Sequence, residues 1–335
     1  MGTLLELPVT SAVRSWSDIA EAYRRPTATP SGKRSVRRPT VSVCIVANQP
    51  SRRMQAMIDS ILGQRFQDLE IVVVGNATLY IKRAMLARPA DERLRIIRTD
   101  AVLSASESFN LAVRHSRGKF VKLLSADAAL YPGCIASQVD VLESNPGVAL
   151  VAAGTDFLDE GGEIVRRQRP LSRTAGYWSA PRVVKAIVRS GDNPVGPLTA
   201  AMFRRTDFRR CGALSREQQA TTELDLWMRL LRFGDFFGLP EPGAAVCESH
   251  RAPTGRSGLR RRLAEWSEFT RGLAEDRTWD VSAFDRLVGY ARGCFTTLRS
   301  GTARYGNSFR TTQPNHASTL NKIGEQGNVT SIVGR

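Results

Sequence analysis

Leu123-Leu124-Ser125-Ala126-Asp127-Ala128-Ala129-Leu130-Tyr131-Pro132 is the stretch whose reading decides the fold. The apolar run leading into it, Phe120 to Leu124, is short and reads as a buried strand. That strand delivers one carboxylate, Asp127, just past its C-terminal end. Pro132-Gly133 then breaks the chain before a helical pattern from about Cys134 to Leu142. In open α/β sheets, ligands bind outside the carboxyl ends of the strands. An Asp in that place is a candidate metal or sugar ligand. Taken alone, it equally suits a turn Asp that satisfies its own backbone.

Working outward, strands and helices alternate. Val41 to Val46 reads as a buried strand, about Arg52 to Gln64 as a helix, and Leu69 to Val74 as a second strand. Leu94 to Ile97 is a third strand, followed by a helix over about Ala105 to His115. Beyond the central stretch, Val148 to Ala153 is another strand, and Phe157 to Val165 reads as a hairpin turning at Gly161-Gly162. This order gives an α/β sheet with antiparallel additions. No G-x-G-x-x-G or Walker pattern is present, which disfavours a dinucleotide or ATP enzyme.

Three runs carry a resemblance. The first is Ser106-Glu107-Ser108-Phe109-Asn110-Leu111-Ala112, followed by Arg117-Gly118-Lys119-Phe120-Val121 and the central stretch. The second is Ile58-Asp59-Ser60-Ile61-Leu62-Gly63-Gln64, continuing through Asp68-Leu69-Glu70-Ile71-Val72-Val73-Val74. The third is Asn193-Pro194-Val195-Gly196-Pro197-Leu198 to Arg205, with Thr222-Glu223-Leu224-Asp225-Leu226-Trp227 after it. Together they resemble the family 2 glycosyltransferases over about Val41 to Arg256. The resemblance implies the GT-A fold, an α/β Rossmann-like mixed sheet flanked by helices, here with C-terminal helices.

The resemblance also implies chemistry: transfer of a sugar from a nucleotide-sugar donor to a glycan or lipid-linked acceptor, as in bacterial surface polysaccharide synthesis. A divalent cation, Mn or Mg, would stabilise the departing diphosphate. Asp127 matches the middle Asp of the family's D-x-D, while Ser125 replaces the first, and Ala128 follows Asp127 where a second Asp is usual. Asp127 and His250 are the metal candidates; Asn48, Asn76, Asn110, Ser125 and Asp127 are the donor-binding candidates. Gly75-Asn76 stands where the family's base-recognising Asp is found, and Ala47-Asn48 replaces its aromatic turn, so the usual uridine contacts are largely missing. Glu223 matches the family's general base with one extra methylene, and Asp225 is the alternate. Asp225 also has a structural reading, as a cap partner of Thr222 and an i,i+4 partner of Arg229. These departures keep a second class open: a GT-A-like module that binds a glycan, a membrane surface or a protein without catalysis.

Composition sets outer bounds. The chain has 335 residues, 42% of them hydrophobic, ample for one large core with additions. Residues 1–38 read as an N-terminal extension and linker, 39–256 as the GT-A domain, 257–300 as a helical segment and 301–335 as a disordered tail. Five singly placed cysteines suggest reduced thiols and a cytoplasmic home, and no apolar run is long enough to span a membrane. The net charge of +16 suits attraction to the anionic inner face of a plasma membrane. No nucleic-acid-binding motif accompanies that charge, which disfavours nucleic acid as a partner.

Overall fold

The computed structural model describes residues 38–47, 53–75, 91–99, 103–168, 176–214, 221–247 and 256–294. Asn48, Asn76, His250, the 1–37 segment and the 301–335 tail lie outside the described residues.

Three largely apolar strands dictate the architecture. β1 (Val41–Val46), β2 (Leu69–Gly75) and β6 (Val148–Leu158) are buried at every position. Strands of that kind belong in a sheet covered on both faces. β1 pairs in parallel with β2 on one side and with β4 (Phe120–Ser125) on the other, and β3 (Leu94–Arg98) extends the parallel part beyond β2. β9 (Ala201–Arg204) is antiparallel to both β4 and β6 and joins them. β10 (Asp235–Cys247) lies parallel to β6, with β5 (Ala128–Leu130) antiparallel at its far side. The order across the sheet is β3-β2-β1-β4-β9-β6-β10-β5. β7 (Ile164–Gln168) hairpins onto β6, and β8 (Gly176–Trp178) pairs with β10.

Strand alternation divides the core in two. Val41, Val43, Ile45, Ile71 and Val73 pack with Met54, Met57, Ile58 and Ile61 of α1 (Met54–Leu62) and Ile135, Val139 and Leu142 of α3 (Cys134–Ser144). Cys44, Val46, Val72 and Val74 point to the opposite face. There they meet α2 (Ala105–His115), α4 (Ala180–Ser190) and α6 (Thr222–Leu230). Trp266 and Leu273 of α7 (Arg256–Glu275), with Trp279, complete this second core. The result is a helix–sheet–helix sandwich.

Local signals explain the helix ends. Ser104 caps α2 with a full capping box: its hydroxyl accepts from the Glu107 amide, and the Glu107 carboxylate accepts from the Ser104 amide. α6 departs from its expected start. Its N-cap is Thr221 rather than Thr222, and the Thr221 side chain makes no capping bond. The Asp225 carboxylate forms the expected i,i+4 ion pair with Arg229.

Candidate functional site

β4 ends at Ser125, and β5 begins at Ala128, so Ala126-Asp127 form a tight turn. The turn is fixed from both sides. The Cys247 amide of β10 donates to the Asp127 carbonyl at 3.0 Å, and the Tyr131 amide donates to the Gly243 carbonyl at 3.0 Å. From α1, Ser60 Oγ accepts from the Leu130 amide at 3.1 Å. Gln64, fully buried, donates to the Tyr131 carbonyl at 2.9 Å and accepts from the Ile135 amide at 3.2 Å. The Ser and Gln of the α1 run therefore clamp the segment that follows Asp127. The sequence pattern marks both residues but gives no reason for them; the reason is a contact 67 to 71 positions away.

Glu223 reaches the same end of β4. β9 pairs Phe203 with Val121 and runs antiparallel, so the 3-10 turn Leu198–Ala200 that precedes it sits toward the carboxyl end of β4. Glu223 Oε1 accepts from the Leu198 amide at 3.1 Å, and Oε2 accepts from Asn193 Nδ2 at 3.0 Å. Asn193 in turn donates to the Gly196 carbonyl at 2.8 Å and accepts from the Gly196 amide at 3.2 Å, closing the loop on itself. The residue retains some exposed surface, but the loop encloses its carboxylate. Burial pushes the Glu223 carboxyl above its ordinary value, against the pull of the Leu198 and Asn193 hydrogen bonds. Asn193 was legible only as part of a matching run; that it holds the base candidate is decided by the fold.

A buried lysine secures the loop from below. Lys122 Nζ donates to Gln138 Oε1 at 2.8 Å and to the Thr199 carbonyl at 3.0 Å. Gln138 Nε2 donates to the Ala200 carbonyl at 2.7 Å. Burial lowers the Lys122 pKa.

Two candidates have other work. Asn110 places both ends of its amide on Leu214, accepting from its amide at 2.8 Å and donating to its carbonyl at 3.0 Å. Asn110, expected to bind the donor, thereby pins the chain after α5 (Arg205–Cys211) to α2. Asp225 Oδ2 accepts from Arg229 at 2.7 and 3.1 Å, and Arg229 also donates to the Cys211 and Gly212 carbonyls. Asp225 therefore belongs to the junction of α5 and α6.

Gly75 explains the missing base contact. A Cβ there would lie 2.3 Å from the Ala47 carbonyl oxygen, because the ends of β1 and β2 touch. No carboxylate fits at that position without moving backbone. Among the described residues, no group of three His, Cys, Asp or Glu side chains gathers to hold a metal ion. Asp127 offers one carboxylate, which suits a hard cation that takes its other oxygens from phosphates and water. No helix among the described residues is long and apolar enough to cross a membrane.

Known proteins share this architecture. S. aureus TarS, residues 1–349, aligns with a TM-score of 0.54 over 82% of this chain and 75% of its own, at 13% identity, and the complex of TarS with UDP aligns at 0.55. The identity is low, so the likeness concerns the fold alone. An uncharacterized glycosyltransferase of Methanocaldococcus jannaschii is 28% identical over 137 residues, 40% of this chain and 47% of that protein. An uncharacterized Mycobacterium tuberculosis protein is 27% identical over 207 residues, 58% of this chain and 62% of that one. The chain thus spans between about half and three-fifths of the length of these two curated relatives. The glycosyl transferase family 2 pattern matches residues 42–212, which run from β1 through β4 and its Asp127 turn to the end of α5. With a GT-A sheet and that match over half its length, the chain belongs to glycosyl transferase family 2.

Proposed function

We propose that the protein is an inverting glycosyltransferase that moves a sugar from a nucleotide-sugar donor to a glycan or lipid-linked acceptor in bacterial surface polysaccharide synthesis. It works at the cytoplasmic face of the plasma membrane, where its +16 charge favours peripheral contact. The observation that carries the reading is Glu223: a carboxylate held by two hydrogen bonds at the carboxyl end of β4, with its pKa raised by burial. A base poised closer to neutrality is what deprotonating an acceptor hydroxyl requires. Asp127 stands at the end of the same strand, where a donor diphosphate would lie. Asp127 would hold a divalent cation together with the donor's phosphates, and the cation would offset the charge of the leaving diphosphate. TarS, which shares the fold, forms complexes with UDP and UDP-GlcNAc, consistent with a nucleotide-sugar donor here.

The test is turnover of nucleotide-sugar donors by the wild type and by Glu223→Gln, with Mn²⁺ or Mg²⁺. Glu223→Gln should lower kcat by about 10²–10⁴-fold, the usual share of a general base, with little change in donor affinity. Wild-type protein that binds nucleotide diphosphates but turns over no donor would favour the non-catalytic binding module instead.

A further inference from the structure

A cavity lies at the opposite end of the sheet from Asp127. It measures about 410 Å³ and is lined by Arg38, Pro39, Thr40, Asp68, Arg117, Lys119, Arg204, Arg205 and Thr206. Thr40 precedes β1, Asp68 precedes β2, Lys119 precedes β4, and Arg204 ends the antiparallel β9. All of these mark the amino ends of the parallel strands. The six-residue β4 runs from this end to Ser125, about 20 Å at the rise of a strand.

Five cations line the cavity against one carboxylate, Asp68. Asp68 is already engaged: Thr40 donates to it from its amide at 3.2 Å and from its hydroxyl at 2.7 Å. Lys119 pairs with Glu143 at 2.5 Å. Among the described residues, none of the four arginines has a carboxylate within ion-pair distance. Two of them are held by neutral acceptors instead. Arg205 Nε donates to the Gly118 carbonyl at 2.6 Å, and Arg204 donates to the Leu142 carbonyl at 2.7 Å. Those contacts fix the guanidiniums without cancelling their charge. Burial, then the neighbouring charges of Arg209 and Arg38, lower the Arg205 pKa against the opposing pull of Glu70.

The wall behind them is rigid. Glu70 accepts from the Arg117 amide at 2.6 Å and from Ser42 Oγ at 2.7 Å, and Ser42 Oγ accepts from the Gly118 amide at 2.8 Å. A Cβ at Gly118 would lie 2.5 Å from the Ser42 nitrogen, so this turn is packed to contact. Arginines held by carbonyl acceptors in a concave site, in excess over the carboxylates that line it, match phosphate in charge and fork geometry. A pocket of this volume suits a small ligand.

We infer that this cavity is an anion site, separate from the donor site, for a group carrying two or more phosphates or for a phosphate headgroup. Arg38 and Arg117 are exposed at the rim of the cavity, so they can be changed without disturbing the core. The probes are inorganic tripolyphosphate, by calorimetry at fixed salt, and phosphatidylglycerol vesicles against phosphatidylcholine vesicles, by sedimentation. The proteins are the full chain, the pair Arg38→Gln with Arg117→Gln, and a control pair Arg260→Gln with Arg261→Gln on the exposed side of α7. Tripolyphosphate binding weakened about tenfold or more by the cavity pair but not by the control pair supports the site and a soluble ligand. Binding of the phosphatidylglycerol vesicles alone, with the same dependence, supports the site and a lipid headgroup. Binding of neither probe, or loss equal in both pairs, overturns the inference.

Discussion

Glu223 and Asp225 are two residues apart on α6 and face different surroundings. Glu223 turns to the 193–198 loop at the end of β4, while Asp225 turns to Arg229 and the end of α5. Their substitutions should therefore separate. Asp225→Asn breaks a half-exposed i,i+4 ion pair and should lower stability by about 0.5 kcal/mol with kcat retained, as read by denaturant unfolding and steady-state kinetics. A loss of kcat at Asp225 with none at Glu223 would reverse the assignment. The raised pKa of Glu223 adds a pH signature. The base acts ionised, so the acidic limb of kcat/KM should lie above the ordinary glutamate pKa of about 4.3, and Glu223→Gln should abolish it. The stability sign follows from the same shift. A carboxyl whose folded pKa is raised contributes its stability below the unfolded pKa and loses it as pH rises through the folded one. The stability difference between wild type and Glu223→Gln should therefore move in favour of the variant as pH rises from the ordinary glutamate pKa of about 4.3 through the raised folded one. A difference that stays flat across that range would contradict the raised pKa.

At the scale of elements, the joint between α4 and the helix over 283–294 is set by glycines. Gly289 and Gly293 lie four apart on one face of that helix. A Cβ at Gly289 would lie 1.8 Å from the Val188 carbonyl oxygen, and one at Gly191 would lie 2.4 Å from the Gly289 oxygen. Gly191 also has φ +69°, a conformation that favours glycine. Asp285 fastens the same joint: it forms a reciprocal cap with Ser282 and lies 3.6 Å from both Lys185 and Arg189 of α4. Gly289→Ala should destabilise the protein by about 1–3 kcal/mol, the usual range for overpacking, and thermal unfolding would register it. An unchanged Tm would mean that the two helices can separate without cost.

For the molecule as a whole, the C-terminal helices are part of the core rather than an appendage. Trp266, Leu273 and Trp279 are at most 8% exposed and pack in the same cluster as Val183, Ile187 and Trp227. Removing everything after residue 255 would uncover the α4 and α6 face of that cluster, and each large side chain uncovered costs about 1.5–3 kcal/mol. Given the marginal stability of domains, the 1–255 protein should be insoluble or should melt far below the full chain. Cooperative melting of 1–255 at the full-length temperature would overturn this.

Periodicity and apolar runs were enough to place the parallel strands β1 to β4 and the helices α1 to α3, because local pattern reports which face is buried; β9, β10 and α4 were not read from the sequence, since their pairing and packing partners lie far along the chain. The helix over Ala105–His115 appears with the ends its pattern predicts, and the resemblance pointed to the family that the wider match supports. The sequence also marked Ser60, Gln64 and Asn193 as parts of matching runs, without their purpose. That purpose depends on contacts between residues 30 to 71 positions apart. Asn110 was named a donor-binding candidate by the resemblance; that its amide also holds Leu214, 104 residues away, was not legible in the sequence. The reasons for Gly75 and the joining of Arg38, Arg117 and Arg205 into one cavity were invisible for the same cause. Sequence pattern fixes what each residue is and which face it occupies, whereas charge and hydrogen bonding act through space, so only the folded chain determines which groups meet.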